Sequence, residues 1–239
     1  MKSSDWKVIK AAKEAGIPDP GFEIDKNTAI VITDPQNDFL REDGVAWPIV
    51  KESVKENNTI ENMTTVFRLA KEKGMKIFIS PHYFFPEDEQ WQFGGALEKF
   101  MHSKGMYKRK GRLVMEGFEG SGADFLEEFK QYLEGENIIL CNPHKLYSPK
   151  NTDLTLQLRK NKIEKILMAG MSTNLCMESH TRNLLEEGFE IAVIADASAS
   201  AKLPGLDTFQ GALMNLRMIT SHVFSTEEFE EALNSANLK

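Results

Sequence analysis

The chain alternates short apolar runs with longer stretches of helical period. Thr28-Ala-Ile-Val-Ile-Thr33 is an unbroken run of strand length that stops at Asp34-Pro35, a turn pair. Ile60, Met63, Phe67 and Ala70 then recur at helical spacing across residues 60–73, and Gly74 supplies the stop. A second strand follows at 76–79, and further strands are predicted at 138–140, 166–168, 191–195 and around Phe224. Helices are predicted at 152–160, after Cys176, and at 226–233. Strands that alternate with helices need crossover connections, so the pattern predicts an α/β fold with a mostly parallel sheet covered on both faces.

Two stretches depart from this rhythm. Residues 1–27 form an N-terminal extension with a short helix, Ser4 as its N-cap and Gly16 as its stop, followed by Pro18-Asp-Pro20. Residues 81–122 form an insertion rich in aromatics, including Tyr83, Phe84, Phe85, Trp91, Phe93, Phe100 and Tyr107. A connection that long is a lid, a binding loop or a contact between subunits. No linker or repeat divides the chain, so residues 1–239 are expected to form a single domain.

Composition narrows the setting. A length of 239 residues with 41% hydrophobic content suffices for one substantial core. The formal charge of −7 is spread over interspersed Lys and Glu, which offers no basic face to nucleic acid. Two cysteines make no disulfide framework. No stretch approaches the roughly 20 apolar residues that span a bilayer, and no apolar signal core opens the chain. The expectation is a cytoplasmic protein that binds a small molecule and neither nucleic acid nor membrane.

Candidate chemistry gathers where strands end. Cys176 follows the strand at 166–168 through a tight turn and stands where a helix begins, so unpaired N–H groups and the helix dipole should favour its thiolate. Cys141 merely closes the strand at 138–140 and reads as a core residue. Asp34 ends the first strand, and Lys145 comes shortly after Cys141. A carboxylate, a cation and a thiol converging on one rim of a parallel sheet would suffice for acyl transfer through a thioester.

The segment Ala29-Ile-Val-Ile-Thr-Asp34-Pro-Gln-Asn-Asp-Phe-Leu40, with Gly170-Met-Ser-Thr-Asn-Leu-Cys176 and the segment from Gly188 to Asp196, resembles the isochorismatase-like cysteine hydrolases. That superfamily includes nicotinamidases, N-carbamoyl amidohydrolases and biuret hydrolases. The resemblance spans roughly residues 28–224. It implies a doubly wound, mostly parallel six-stranded sheet with helices on both faces, and a catalytic triad of Asp34, Lys145 and Cys176. It further implies an oxyanion hole from the backbone of Ser172 and Cys176, a cis peptide between Met171 and Ser172, and a homo-oligomer, dimer or tetramer.

Departures from the family pattern refine the expectation. Many members read Lys-x-x-Tyr-Ser-Ala-Phe where this chain reads Lys145-Leu-Tyr-Ser-Pro-Lys150, which makes Lys150 the alternative cation. Nicotinamidases carry Asp-x-His and another histidine around a metal; Ser80-Pro-His82 lacks the carboxylate, so no metal and no cofactor are expected. His180 replaces a threonine common in the family, one helical turn from the thiol. Phe39, Trp47, His82 and Trp91 are the expected substrate-pocket wall, while Arg182 carries no clear role. True isochorismatases lack the cysteine. The reading is therefore a cysteine amidohydrolase acting on a small amide, carbamoyl or ureido compound. The alternatives are an isochorismatase-type or nicotinamidase-type hydrolase, and a non-catalytic binding protein that keeps the fold.

Overall fold

The computed structural model describes residues 2–238, so Met1 and Lys239, the ends of the expected domain, lie outside the described residues. Strands β1 (Thr28–Thr33), β2 (Lys76–Ser80), β3 (Ile138–Leu140), β4 (Lys165–Met171) and β5 (Glu190–Ala199) precede the short pair β6 (Lys202–Leu203) and β7 (Leu206–Asp207), and β8 (His222–Phe224) comes last. Six of them form one sheet in the order β3-β2-β1-β4-β5-β8. Every pairing in it is parallel. The hairpin β6–β7 is antiparallel and stands apart.

The apolar run of β1 is buried along its whole length because its two faces feed different cores. Ile30 and Ile32 point into one cluster with Ile77, Ile79, Phe67 and Phe229. Ala29 and Val31 point into the other with Phe78, Met168, Leu158 and Leu213. The first face is covered by α3 (Trp47–Glu56), α4 (Thr59–Glu72) and α10 (Thr226–Ser235); the second is covered by α1 (Lys7–Glu14), α7 (Leu154–Lys160), α8 (Glu178–Glu186) and α9 (Thr208–Ile219). Short helices α2 (Asn37–Leu40), α5 (Ala96–Lys104) and α6 (Glu127–Lys130) occupy the loops. Fully burying one side chain such as Phe67 contributes about 1.5–3 kcal/mol, so these two layers carry most of the stabilisation.

Several local expectations change. The N-terminal helix starts at Lys7, since Ser3–Asp5 is a separate 3₁₀ turn and Ser4 caps nothing. Helix α9 has no counterpart in the sequence reading; Gly211 in its first turns weakens the periodic signal, and the fold recovers the helix through the Asp207 side chain, which accepts from the N–H groups of Phe209 and Gln210. The 81–122 segment is less of a loop than its composition suggests, because Pro86–Gln90 and α5 lie within it. Its aromatics divide: Tyr83, Phe84, Phe85 and Tyr107 are buried, while Phe93 is 90% exposed. No helix among the described residues is long and apolar enough to cross a membrane.

Strand order reverses between β1 and β4, since the chain builds outward from β1 in one direction and from β4 in the other. The carboxyl ends of those two strands define the crevice where open α/β sheets place their chemistry. Thr33 Oγ1 donates to Met171 O at 2.8 Å, tying the two ends together. Gly170 permits their close approach: its φ is +105°, and a Cβ there would lie 2.1 Å from Thr33 O. Gly170→Ala should therefore destabilise the fold by about 3 kcal/mol or more in denaturant unfolding. A loss within about 0.5 kcal/mol would mean that the strand ends tolerate separation.

Candidate active site

Asp34 leaves β1 with φ +46°, a left-handed conformation that aspartate tolerates better than most residues, and turns its fully buried carboxyl group into the crevice. Its N–H donates to Ser80 O at 3.1 Å, which holds the turn against β2. Beyond β2 and β3 the two chains continue side by side, with His82 and His144 paired in a parallel bridge and His144 N–H donating to Pro81 O at 3.0 Å. Gln36 clamps this extension: its Nε2 donates to His82 O at 3.0 Å and Ala123 O at 2.7 Å, and its Oε1 accepts from His82 N–H at 2.8 Å.

The side chain in contact with Asp34 is that of His144, not Lys145. His144 Nε2 lies 2.7 Å from Asp34 Oδ1, with both side chains fully buried. His144 Nδ1 lies 2.7 Å from Leu146 O, and a carbonyl only accepts, so Nδ1 carries a proton. Nε2 faces a carboxylate, which also accepts, so a second proton lies between Nε2 and Asp34. The two side chains share that proton across the 2.7 Å contact. Asp34 Oδ2 is buried with no hydrogen-bond partner among the described residues.

Lys145 turns the other way. Its Nζ donates to Asp88 Oδ2 at 2.6 Å and Tyr83 O at 2.7 Å, and lies 3.9 Å from the centre of the Phe85 ring. Lys150, the alternative, is exposed. Neither ammonium partners Asp34.

Cys176 lies in the turn Thr173–Met177, a single π-type turn leading into α8, and the Met171–Ser172 peptide before it is cis. The expectation of a stabilised thiolate is reversed. Burial pushes the thiol well above its ordinary value and the Asp34 carboxylate pushes it further, while the backbone N–H groups of Ser172 and Cys176 at the sulfur oppose this less strongly. The resting form is the thiol. Donor atoms of Asp34, His82, His144 and Cys176 all lie within 4.8 Å of one another.

The neighbouring histidines are held neutral. Burial, then the His144 charge, pushes His180 down to about 3; its Nδ1 donates to Cys176 O at 2.7 Å and Tyr147 O at 2.9 Å, and its Nε2 accepts from Ser80 Oγ at 2.9 Å. His180 thus braces the turn that carries Cys176. Burial and His144 also push His82 well below its ordinary value, and its Nε2 donates to Lys145 O at 3.1 Å.

The other expected pocket residues divide: Trp91 borders a cavity, while Phe39 and Trp47 pack against the core. Phe39 is buried in the core with its ring 5.7 Å from that of Tyr107, and Trp47 packs half-buried at the start of α3 against the same core. Both belong to the core on that face of the sheet. Trp91 lines a cavity of about 340 Å³ with Pro143, His144, Lys145, Leu146 and Ser148. A larger cavity of about 710 Å³ lies elsewhere, among Trp6, Asn58, Asp196 and Phe209. The smaller one reaches His144, whose side chain is itself fully buried, and the larger one includes none of Asp34, His144 and Cys176. Arg182 pairs with Glu178 on the surface of α8.

Three residues escaped the sequence reading. His144 stands one position before the expected lysine, Gln36 lies two after Asp34, and Tyr107 sits in the insertion at φ +56°. The Tyr107 ring stacks on His82 at 4.8 Å, its hydroxyl is buried without a hydrogen-bond partner among the described residues, and burial, followed by the charge of Asp34, pushes its phenol well up.

A protein-family model described as the isochorismatase domain matches residues 28–228. The chain is 27% identical over 229 residues to a ureidoacrylate amidohydrolase of Methylorubrum extorquens, covering 91% of this chain and 87% of that protein. It superposes on a cysteine hydrolase from Pseudomonas syringae pv. phaseolicola with a TM-score of 0.71 at 18% identity, covering 91% and 98% of the two chains. For N-carbamoylsarcosine amidase from Thermoplasma acidophilum the TM-score is 0.59 at 18% identity, with 84% and 96% covered.

The second cysteine offers a measurement on the fold. Burial, then Asp153, pushes the Cys141 thiol up to about 12. A value raised on folding gives stability that is full below the unfolded value near 9 and is lost as pH rises from there towards 12. Cys141→Ala removes that dependence. Its stability deficit against the wild type should shrink by about 2 kcal/mol between pH 8 and pH 11 in denaturant unfolding. A deficit that stays constant over this window would show that the thiol is not held in its neutral form.

Proposed function

The chain belongs to the isochorismatase family, and from that premise we propose that it is a cysteine amidohydrolase cleaving a C–N bond in a small amide, carbamoyl or ureido compound. One observation carries the reading: a buried carboxylate–imidazole pair stands beside the only described cysteine that lies at the sheet's switch point. Ureidoacrylate amidohydrolase as the name of a relative along nearly the whole chain supports a ureido or carbamoyl substrate.

In this mechanism Cys176 is the nucleophile. Its proton passes to the unpartnered Oδ2 of Asp34 as the sulfur attacks the substrate carbonyl carbon. The negative charge leaves Asp34 for sulfur and then for the carbonyl oxygen, and His144 offsets it throughout from one position. The N–H groups of Ser172 and Cys176, already at the sulfur, receive the oxyanion. Collapse expels the amine, which takes the proton back from Asp34, and leaves a thioester. Water, deprotonated by Asp34, hydrolyses the thioester and regenerates the thiol.

Release of ammonia or amine from a panel of small amides and ureides tests the reaction class. Cys176→Ala and His144→Asn should each lower kcat by about a thousandfold or more, while Lys145→Met stays within about threefold of the wild type. Loss of activity in Lys145→Met with retention in His144→Asn would return the cation to the lysine. Trp91→Ala should raise KM or reorder the panel without lowering kcat comparably, since its ring forms the cavity wall and not the reacting set. Kinetics unchanged across the panel would remove Trp91 from the site.

A further inference from the structure

The cluster that surrounds the nucleophile has a second chemical capacity. A thiol sulfur, two imidazoles and a carboxylate supply donors whose atoms lie within 4.8 Å of one another, all of them buried. This donor set, soft sulfur with nitrogen and one oxygen, is the kind that tetrahedral zinc takes. The missing carboxylate at Ser80 does not bear on it. Ser80 Oγ is engaged with His180 at 2.9 Å, and the four donors come from the end of β1, the turn after β4 and the extensions beyond β2 and β3.

We infer that Asp34, His82, His144 and Cys176 form a site for one thiophilic divalent cation, of which zinc is the type, and that its occupancy silences hydrolysis. Three features beyond proximity support the site. His144 donates Nδ1–H to Leu146 O and His82 donates Nε2–H to Lys145 O, so each ring is held by a backbone carbonyl and its other nitrogen is the available ligand atom, that of His144 once the proton shared with Asp34 leaves. Metal-binding histidines are oriented in this way. Asp34 Oδ2 is a buried oxygen with no hydrogen-bond partner among the described residues. The exchange also conserves charge: a dication enters, and the thiol proton and the proton between Asp34 and His144 leave, so the buried cluster stays neutral. A bare buried charge would be expelled; this exchange creates none.

Silencing follows from the same donors and rests on the reading of Cys176 as nucleophile. With its sulfur bound to the cation and Oδ2 bound beside it, the cluster has neither a free nucleophile nor a free proton acceptor. The cation therefore excludes substrate turnover instead of assisting it, and removal by chelation restores the rate.

The chain of residues 1–239, stripped with chelator and dialysed, provides the test. Calorimetric titration with Zn²⁺ should give one ion per chain. Co²⁺ in its place should give the visible bands of four-coordinate cobalt with a sulfur-to-cobalt charge-transfer band in the near ultraviolet. Cys176→Ser should lose the charge-transfer band, Cys141→Ser should keep it, and His82→Leu should weaken Zn²⁺ binding by about tenfold or more. Zn²⁺ should inhibit with the same midpoint as it binds, and chelator should reverse the inhibition. Absence of one-to-one binding, or a charge-transfer band that survives Cys176→Ser, would overturn the site. An occupied site with undiminished turnover would overturn the silencing. Should Cys176→Ala remain active, the proposed function fails, while the cobalt spectrum still decides the cation site separately.

Discussion

The contact between Asp34 and His144 is the constraint around which the rest of the crevice is arranged. Two full charges in a dry interior are tolerated only as a pair, and removing one partner of such a pair costs about 3–5 kcal/mol because the other is left stranded. The surrounding structure fixes the pair from several directions. Thr33 binds the end of β4, Gly170 removes the Cβ that would part the strands, and Gln36 holds the chain that carries His82 against the turn. None of these residues needs to touch substrate. Their work is to keep a buried carboxylate where a thiol can reach it.

Why histidine serves here and the adjacent lysine does not is a matter of alternation. Beyond β3 the chain stays extended, as the bridge between His82 and His144 requires, and consecutive side chains of an extended segment point to opposite sides. His144 points inward and is fully buried; Lys145 points outward, with 30% of its side chain exposed, onto Asp88 and the Phe85 ring. A shift of one residue thus exchanges a flexible ammonium for a planar ring that donates at two fixed points. The ring's second donor reaches Leu146 O, which holds it in place without a further side chain.

What could be read from the sequence divides along physical lines. Strands β1, β2, β4 and β5 were legible because their apolar runs are long enough to be buried on both faces, and Cys176 and Asp34 were legible because each follows such a run. Helix α9 was hidden by Gly211, and Ser4 had the residue type of a cap without the geometry. His144 was hidden because side-chain parity beyond a short strand depends on pairing with β2, which sequence does not display. The state of Cys176 was misread for a related reason. A helix N-terminus favours a thiolate in proportion to its alignment, but burial and a neighbouring carboxylate act in the opposite sense and are larger here. Phe39 and Trp47 carry the aromatic character of a pocket wall, yet their neighbours place them in the core.

The histidine cluster explains how such a site can move a proton without creating a new buried charge. His144 lies between His82, 4.5 Å away, and His180, 5.0 Å away, by ring centres. Three adjacent imidazolium rings would repel one another strongly in a dry setting, and burial together with His144 holds the outer two neutral. The proposed reaction places the cluster's one positive charge on His144. In the proposed reaction the thiol proton moves to Asp34, and the negative charge moves from carboxylate to sulfur while remaining beside that same ring. Before and after the step the cluster is neutral, with one cation and one anion, so the desolvation that makes a free thiolate costly in this crevice is largely avoided. A raised thiol is then compatible with nucleophilic attack, because the thiolate exists only when Asp34 holds the proton and substrate is ready to accept the charge.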